Sequence, residues 1–398
     1  MELLLSSKIE LSPLMIKKDR KNYIVEDTLS GNFYEMPKIC VDAIELIRSG
    51  KTLDEVENQL KYNYPTEDVD IIDFVNQLIE FGLVDKIDGN TMPVHKNNEK
   101  PKGFEWLPSS VGRFFFNKIS TKIYISIALI NAILLISNPV LFPKYNDLFL
   151  INSAMINMLI YMTISLILLL IHEFGHVIAM RSFNLPTKLE IGNRFFFVVL
   201  ETDLSQIWKL NPKERNVLYF AGLSFEQVIL FFALLAKLFI PESDGLMVGI
   251  LSVIIMDLFF KAIYQSTIFM KTDLYYVLEN LSGSYNLMEN GKNYLKKWIP
   301  FMKTDSSTQS FPGEKIYVQI YSVLYALGFL LMIGVLFLFI IPQISTFYTQ
   351  SVDNLTKPIH SIEFWDGLIF FIQFILFIGL LTYSFIKKYK SNKKVRSL

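Results

Sequence analysis

The sequence predicts a mainly α-helical, polytopic membrane protein with about six transmembrane helices and a small N-terminal α+β domain. Long runs that are almost free of charge follow the first hundred residues, and the mean hydropathy of +0.35 is high for a soluble protein. The first hundred residues carry an ordinary mixture of charged and apolar side chains. We therefore divide the chain into a soluble domain at 1–88, a linker and interfacial segment at 89–118, and a membrane domain at 119–398.

Short strands are expected at both ends of the soluble domain. Apolar and β-branched residues at 12–27 are interrupted by the turn-like stretch 18–21, which predicts a hairpin. A third strand is expected at 33–36, and 83–87 has the pattern of a closing strand.

Three helices are expected between these strands. The first opens at Pro37, and Thr52 with Glu55 forms a capping box at the start of the second. Thr66 is expected to cap the third helix, which ends at Gly82. This order of elements predicts a winged-helix-like fold.

The charge of the domain argues against a nucleic-acid partner. The net charge of the chain is zero, and the region of the third helix is acidic, with Glu67, Asp68, Asp70, Asp73 and Glu80. Phosphate groups would repel such a helix.

Residues 8–88 resemble the PqqD-like peptide-chaperone family through Leu11-Ser12-Pro13, Ser49-Gly50-Lys51-Thr52 and the run from Leu78 to Val84. These domains are also called recognition elements for RiPPs, the ribosomally made and then modified peptides. The resemblance implies that the domain binds a leader peptide as an added strand at the sheet edge, beside the third helix. A generic interaction domain is the alternative.

The connecting segment has two parts. Residues 88–104 are polar and turn-rich, as in a linker. Residues 104–118 combine aromatic side chains with Arg113 and Lys118, which is typical of a segment at a membrane interface.

Six segments have the length and apolar composition that a membrane span requires. They lie at about 120–141, 149–171, 217–240, 246–267, 317–341 and 365–386. Lysine and arginine are concentrated in the loops 177–216 and 268–316 and in the tail that follows the last span. Because basic loops stay on the inner side, we expect both termini and the two long loops to be cytoplasmic. The segment 1–7 is too short for a signal-peptide core. The many lysine, isoleucine and asparagine residues fit an AT-rich bacterial genome, so a bacterial cytoplasmic membrane is expected.

The end of the second span carries His172-Glu173-Phe174-Gly175-His176. Residues four apart lie on one helix face, so His172 and His176 can bind the same metal ion. Zinc lowers the pKa of a bound water to about 7, and Glu173 can take the proton of that water. The spacing therefore predicts a zinc protease, against the simpler interpretation of two interfacial histidines.

A third protein ligand would have to be acidic. The chain has four histidines, and His95 and His360 lie in the linker and in an outer loop, while Cys40 is its only cysteine. Asp203, Asp257 and Asp273 are the candidates, and spacing does not choose between them. For Asp257 the alternative is an ion pair with Lys261, one turn further on.

The membrane domain resembles the site-2 protease family of intramembrane metalloproteases over about 150–290. The resemblance depends on the histidine motif, on Thr202-Asp203-Leu204-Ser205 with Trp208, on Ala221-Gly222, and on the stretch from Lys271 to Leu278. It implies that Asp273 is the third zinc ligand and that Asp203 belongs to a family signature. Leu274 departs from the family pattern, which has glycine there, and a bulky side chain could narrow the site or alter the turn.

Two further features of the membrane domain allow more than one interpretation. Residues 195–200 are too few to cross a membrane, and they form either a strand or re-entrant segment that offers an edge to an extended substrate, or a buried connector. Gly222, inside the third span, allows close helix packing.

Together these features predict a zinc metalloendopeptidase that matures a ribosomally synthesised peptide. The soluble domain would bind the leader and raise the peptide concentration near the zinc ion. A peptide-modifying enzyme and an exporter would be its partners besides the lipid bilayer. The alternatives are a regulatory site-2 protease that cleaves a membrane-bound signalling protein, and a non-catalytic export or immunity subunit.

Overall fold

The computed structural model is mostly helical, and it describes residues 3–92, 103–144, 147, 150–151, 153–194, 197–241, 244–298 and 313–396. Two compact units are present. The first comprises Met1–Gly103 and Ser205–Pro212, and the second comprises Phe104–Leu204 and Lys213–Leu398.

The first unit contains two antiparallel three-stranded sheets. One has the order β2-β3-β4, formed by β2 Leu14–Asp19, β3 Asn22–Asp27 and β4 Phe33–Met36. The other has the order β1-β5-β6, formed by β1 Ile9–Leu11, β5 Val84–Ile87 and β6 Asn90–Thr91. The predicted hairpin, third strand and closing strand are confirmed, whereas β1 and β6 are additional.

Three helices cover these sheets: α1 Lys38–Arg48, α2 Leu53–Asn63 and α3 Ile71–Glu80. The capping box of α2 is confirmed, because Thr52 Oγ1 accepts a hydrogen bond from Glu55 N and Glu55 Oε2 accepts one from Thr52 N. The cap predicted at Thr66 is wrong. Asp70 has an extended backbone at the start of α3 and accepts from Asp73 N at 2.9 Å, so its carboxylate satisfies the N–H group that a cap must bind.

The segment Ser205–Pro212 contributes a 3-10 turn to the first unit. Lys209 Nζ lies 3.1 Å from Glu26 Oε1 on β3, and the Gln206 amide donates to the carbonyl of Gly31 at 3.4 Å. The first unit is therefore built from two separate stretches of the sequence.

The second unit contains six helices, among its described residues, that are long and apolar enough to cross a membrane. They are α5 Lys118–Ser137, α6 Ala154–Ser182, α8 Ala221–Phe239, α9 Gly245–Gln265, α12 Lys315–Val335 and α14 Ile362–Arg396. They correspond one to one to the predicted spans. A π-helical turn, Leu336–Ile340, joins α12 to α13 Ile341–Leu355. The shorter helices are α4 Ser109–Phe115, α7 Pro212–Tyr219, α10 Asp273–Ser282 and α11 Leu287–Leu295.

A two-stranded antiparallel sheet follows α6. It is formed by β7 Leu189–Arg194 and β8 Phe197–Thr202, with Leu189 opposite Thr202. The strand interpretation of 197–200 is thus confirmed, and Phe195 and Phe196 lie outside the described residues.

Helix α6, which carries the histidine motif, is anchored at both ends. Ser153 caps its N-terminus, where Asp366 of α14 accepts a hydrogen bond from Met155 N at 2.9 Å. A carboxylate at that position also interacts favourably with the helix dipole. At the other end, Arg181 Nε donates to the carbonyl of Leu107 at 3.0 Å.

Candidate metal centre

Three side chains from α6 and α10 converge in the second unit. His172 Nε2 lies 3.0 Å from Asp273 Oδ2, His176 Nε2 lies 3.4 Å from the same oxygen, and the two Nε2 atoms are 3.2 Å apart. All three residues are buried. His172 and His176 lie one turn apart on α6, and Asp273 is the first residue of α10. The three side chains together could hold a metal ion.

Each histidine has a partner at its outer nitrogen. His176 Nδ1 lies 2.9 Å from the carbonyl oxygen of Leu218, at hydrogen-bonding distance. His172 Nδ1 lies 3.0 Å from Glu226 Oε1 of α8, close enough for an ionic contact but not aligned as a hydrogen bond. The carbonyl beside His176 Nδ1 and the carboxylate beside His172 Nδ1 both favour a proton on the outer nitrogen, which leaves the Nε2 atoms available to a metal.

Sequence reasoning missed Glu226. The available signal was an acidic residue inside an apolar span, where ionisable groups are costly and usually functional. Glu226 has that position in α8, and only 3% of it is exposed.

Asp273 is held by Gln265, the last residue of α9, which sequence reasoning also missed. The Gln265 amide donates to Asp273 Oδ2 at 2.9 Å, and its side-chain oxygen accepts from Asp273 N at 3.0 Å. Burial by itself raises the pKa of Asp273, but the neighbouring His176 and His172 outweigh burial and hold that pKa well below its usual value. The ionised carboxylate is the form that binds metals.

Leu274, which stands where the site-2 protease pattern has glycine, does not disturb the turn before α10. The left-handed residue there is Lys271, with φ of 54°, while Leu274 lies inside the helix. A glycine is therefore not required at position 274 for backbone conformation.

Glu173 is buried beside the first histidine and is tied to the β7–β8 sheet. Its Oε2 accepts a hydrogen bond from the hydroxyl of Thr202 at 2.8 Å, and the same hydroxyl lies 3.1 Å from the Glu173 carbonyl oxygen. Thr202, the last residue of β8, therefore fixes both the carboxylate of Glu173 and the position of the strand against α6.

Two glycines allow α6 and α8 to approach closely. A Cβ atom on Gly222 would lie 2.4 Å from His172 Nε2, and one on Gly175 would lie 2.9 Å from the carbonyl oxygen of Ala221. The prediction that Gly222 permits close packing is confirmed, and the group that needs the space is the imidazole of a candidate ligand.

Asp257 forms the ion pair that was the alternative to a ligand role. Its Oδ2 lies 2.7 Å from Lys261 Nζ, which also donates to the carbonyl of Ser165 on α6 at 3.2 Å. The pair thus connects α9 with the helix that carries the histidines.

The remaining candidates are also outside the metal group. The backbone of Asp203 pairs with Lys188, whose carbonyl accepts from Asp203 N at 2.8 Å. His360 is exposed, and His95 lies outside the described residues.

A second buried carboxylate lies further along α10. Glu279 accepts hydrogen bonds from the Tyr275 hydroxyl and from Leu287 N, which joins α10 to α11. Burial raises the pKa of Glu279 to about 7, although these donors and Lys271 oppose the increase.

No protein-family model, curated protein or solved structure matches this chain. What the chain does must therefore be inferred from its own side chains.

Proposed function

We propose that the chain is a membrane-embedded zinc metalloendopeptidase of the site-2 protease type, which cleaves a ribosomally synthesised precursor peptide during its maturation or export. The observation that carries this proposal is the buried group formed by Asp273 of α10 with His172 and His176 of α6, the helix that also carries Glu173. Two histidines, one carboxylate ligand and an adjacent glutamate are the groups that zinc-dependent hydrolysis requires.

The donor set fits zinc in both chemistry and spacing. Ligand atoms at 2.0–2.1 Å from a tetrahedral zinc ion lie about 3.3 Å from one another. The distances between Nε2 of His172, Nε2 of His176 and Oδ2 of Asp273 are 3.0, 3.2 and 3.4 Å. Catalytic zinc sites typically use three protein ligands, and His172, His176 and Asp273 would supply that number.

The side chains of this site divide the work of peptide hydrolysis. Zinc, when bound, polarises the peptide carbonyl and lowers the pKa of a water molecule to about 7. Glu173 then accepts a proton from the attacking water and delivers it to the nitrogen of the peptide bond that breaks. Thr202 orients the Glu173 carboxylate through its 2.8 Å hydrogen bond.

The sheet formed by β7 and β8 supports binding of an extended peptide near this glutamate. It has two strands in the described residues, and β8 ends at the residue that binds Glu173. A peptide added as a further strand would be held in the extended conformation by backbone hydrogen bonds. Side chains of many sequences can be accepted this way, because the main chain supplies the contacts.

The first unit has an edge strand suited to capturing a leader peptide. Strand β4 lies at one end of the order β2-β3-β4. Tyr34 of β4 stacks on Phe81 at 4.9 Å and donates to its carbonyl oxygen at 3.1 Å, which connects the edge strand to the end of α3. We propose that the leader lies along β4 beside α3, as an added strand.

The proposed location is the bacterial cytoplasmic membrane, with both termini inside. The six apolar helices and the basic residues of the loops 177–216 and 268–316 support this orientation. An enzyme that modifies the peptide and an exporter are proposed partners.

Cleavage is tested with the full-length protein and a candidate precursor peptide, analysed by mass spectrometry. Wild type should give two fragments, and Glu173→Gln should leave the peptide intact. Glu279→Gln is the matched control, because Glu279 is also a buried glutamate and lies outside the metal group. Identical peptide masses from wild type and Glu173→Gln would contradict the proposal for that peptide.

Leader binding is tested separately by steady-state kinetics. Tyr34→Ala should raise KM for the complete precursor and leave kinetics on a leader-free peptide unchanged. Met15→Ala is the control, since Met15 is an exposed apolar residue on β2, at the opposite edge of the sheet. Equal KM values for Tyr34→Ala and wild type would count against capture at β4.

A further inference from the structure

Glu226 is a buried carboxylate in the apolar helix α8, and burial of a lone charge there would be costly. Its only ionic partner within the described residues is His172, with Oε1 3.0 Å from Nδ1. The proposed cleavage chemistry assigns no step to Glu226. The contact between Glu226 and the His172 imidazole is therefore the feature that can explain this buried carboxylate.

The two nitrogens of His172 face different surroundings. Nε2 faces the metal group, 3.0 Å from Asp273 Oδ2, and Nδ1 faces Glu226. A carboxylate beside Nδ1 favours the tautomer with its proton on that nitrogen, which leaves the lone pair of Nε2 for the metal. His176 obtains the same arrangement from a neutral acceptor, the carbonyl of Leu218.

Helix α8 holds His172 at two consecutive turns. Gly222 leaves the space for the ring, since a Cβ atom there would lie within 2.4–2.7 Å of three ring atoms. Glu226, four residues later and on the same helix face, meets the outer nitrogen. Helix α8 therefore leaves the space that the ring occupies and places a carboxylate beside its outer nitrogen.

Charge gives Glu226 a role that a carbonyl could not perform. A divalent ion bound by two neutral histidines and Asp273 leaves one net positive charge before the nearby carboxylates are counted. The carboxylate of Glu226 lies next to one of these ligands, 3.0 Å from His172 Nδ1, and adds negative charge on the side of the imidazole that faces away from Asp273. Because the surroundings are apolar, the attraction is much stronger than it would be in water.

We propose that Glu226 is a positioning residue for the metal: its carboxylate beside Nδ1 favours the tautomer of His172 that offers Nε2 to a divalent ion, and it adds negative charge next to that ligand. The inference rests on the metal-binding part of the proposed function and does not depend on peptide cleavage.

The test measures zinc affinity of the full-length protein in detergent, by competition with a fluorescent chelator. Glu226→Gln keeps the side-chain volume and removes the charge, and it should weaken zinc binding by roughly 10- to 100-fold. Glu279→Gln, the matched buried control, should bind zinc like wild type. Zinc affinity of Glu226→Gln within twofold of wild type would overturn the inference, and so would an equal loss in Glu279→Gln.

Thermal unfolding separates positioning from a purely structural role. Without zinc, Glu226→Gln should melt within a few degrees of wild type, whereas the rise in Tm on adding zinc should be much smaller. A variant that loses stability equally with and without zinc would show that Glu226 only supports packing, which overturns the inference. Wild type that binds zinc but cleaves no candidate peptide would leave this inference intact and count against the protease. Normal zinc affinity in Glu226→Gln together with normal peptide cleavage would contradict the role of Glu226 and leave the protease proposal intact.

Discussion

Replacing Gly222 with alanine should disable the candidate metal centre through a single added methyl group. The new Cβ would lie 2.4 Å from His172 Nε2 and 2.5 Å from its Cε1. Non-bonded carbon atoms ordinarily approach to about 3.5 Å, so the ring or α8 has to move by roughly 1 Å. The neighbouring Glu226 and Asp273, each 3.0 Å from the ring, oppose such a movement.

A shift of this size exceeds what a metal site tolerates. Ligand distances in metal sites hold to within about 0.2 Å, and a misplacement of about 1 Å costs on the order of 100-fold in rate. We therefore expect Gly222→Ala to reduce binding of the proposed zinc ion and to lower the rate of the proposed peptide cleavage about 100-fold. Overpacking should also reduce stability by about 1–3 kcal/mol.

The assay measures zinc per protein after dialysis, the cleavage rate and Tm in detergent. Gly334→Ala and Gly379→Ala are matched controls, because both lie in apolar helices with open space around the added Cβ. Both should keep wild-type zinc content. Gly175→Ala, whose Cβ would lie 2.9 Å from a backbone oxygen of α8, should show a smaller loss than Gly222→Ala. Full zinc content and full activity in Gly222→Ala would refute the reasoning.

Three further predictions concern other buried groups. Lys261→Met should lower the free energy of unfolding by about 3 kcal/mol, because Asp257 is left without its cationic partner. Adding Asp257→Leu should recover most of this loss in thermal unfolding. A double variant no more stable than Lys261→Met would contradict the prediction. Glu279 has a pKa of about 7 in the folded protein, against an ordinary value of 4.5. Between these two pH values the folded state holds a proton that the unfolded state has lost, so the free energy of unfolding falls by about 3 kcal/mol as pH rises from 4.5 through 7. Tm should therefore fall less steeply between pH 5 and pH 8 in Glu279→Gln than in wild type, and equal slopes would exclude this origin. Burial raises the pKa of the Cys40 thiol to about 11. Iodoacetamide at pH 8 should therefore label the native protein slowly and the denatured protein fast, as measured by mass spectrometry. Equal labelling rates would contradict this and show that the thiol is accessible in the native protein.

The sequence contains the information that locates the membrane helices, because a run of about 20 apolar residues has few alternatives to a span. It also contains the local signals of the first unit, such as the capping box at Thr52. The cap of α3 was misplaced because Thr66 and Asp70 both have suitable side chains, and only the backbone conformation distinguishes them.

The surroundings of the metal group were less accessible to sequence reasoning. Helical spacing puts His172 and His176 on one face, but it does not state which other helix that face meets. Glu226 and Gln265 contact the site because α8 and α9 carry them to it. The sequence marks Glu226 only as a charge in an apolar span, and Gln265 has no comparable mark. For the same reason spacing alone left Asp203, Asp257 and Asp273 as equal candidates.

The discontinuous first unit limits how this chain can be divided or recombined. A fragment ending at Gly103 would lack Ser205–Pro212, and with it the partners of Glu26 and Gly31 and the buried side chain of Ile207. Conversely, deleting the first hundred residues would remove the partners of Lys209 and Gln206, which are Glu26 and Gly31. Grafting the first unit onto another protein would therefore require the eight residues Ser205–Pro212 as well as the N-terminal stretch.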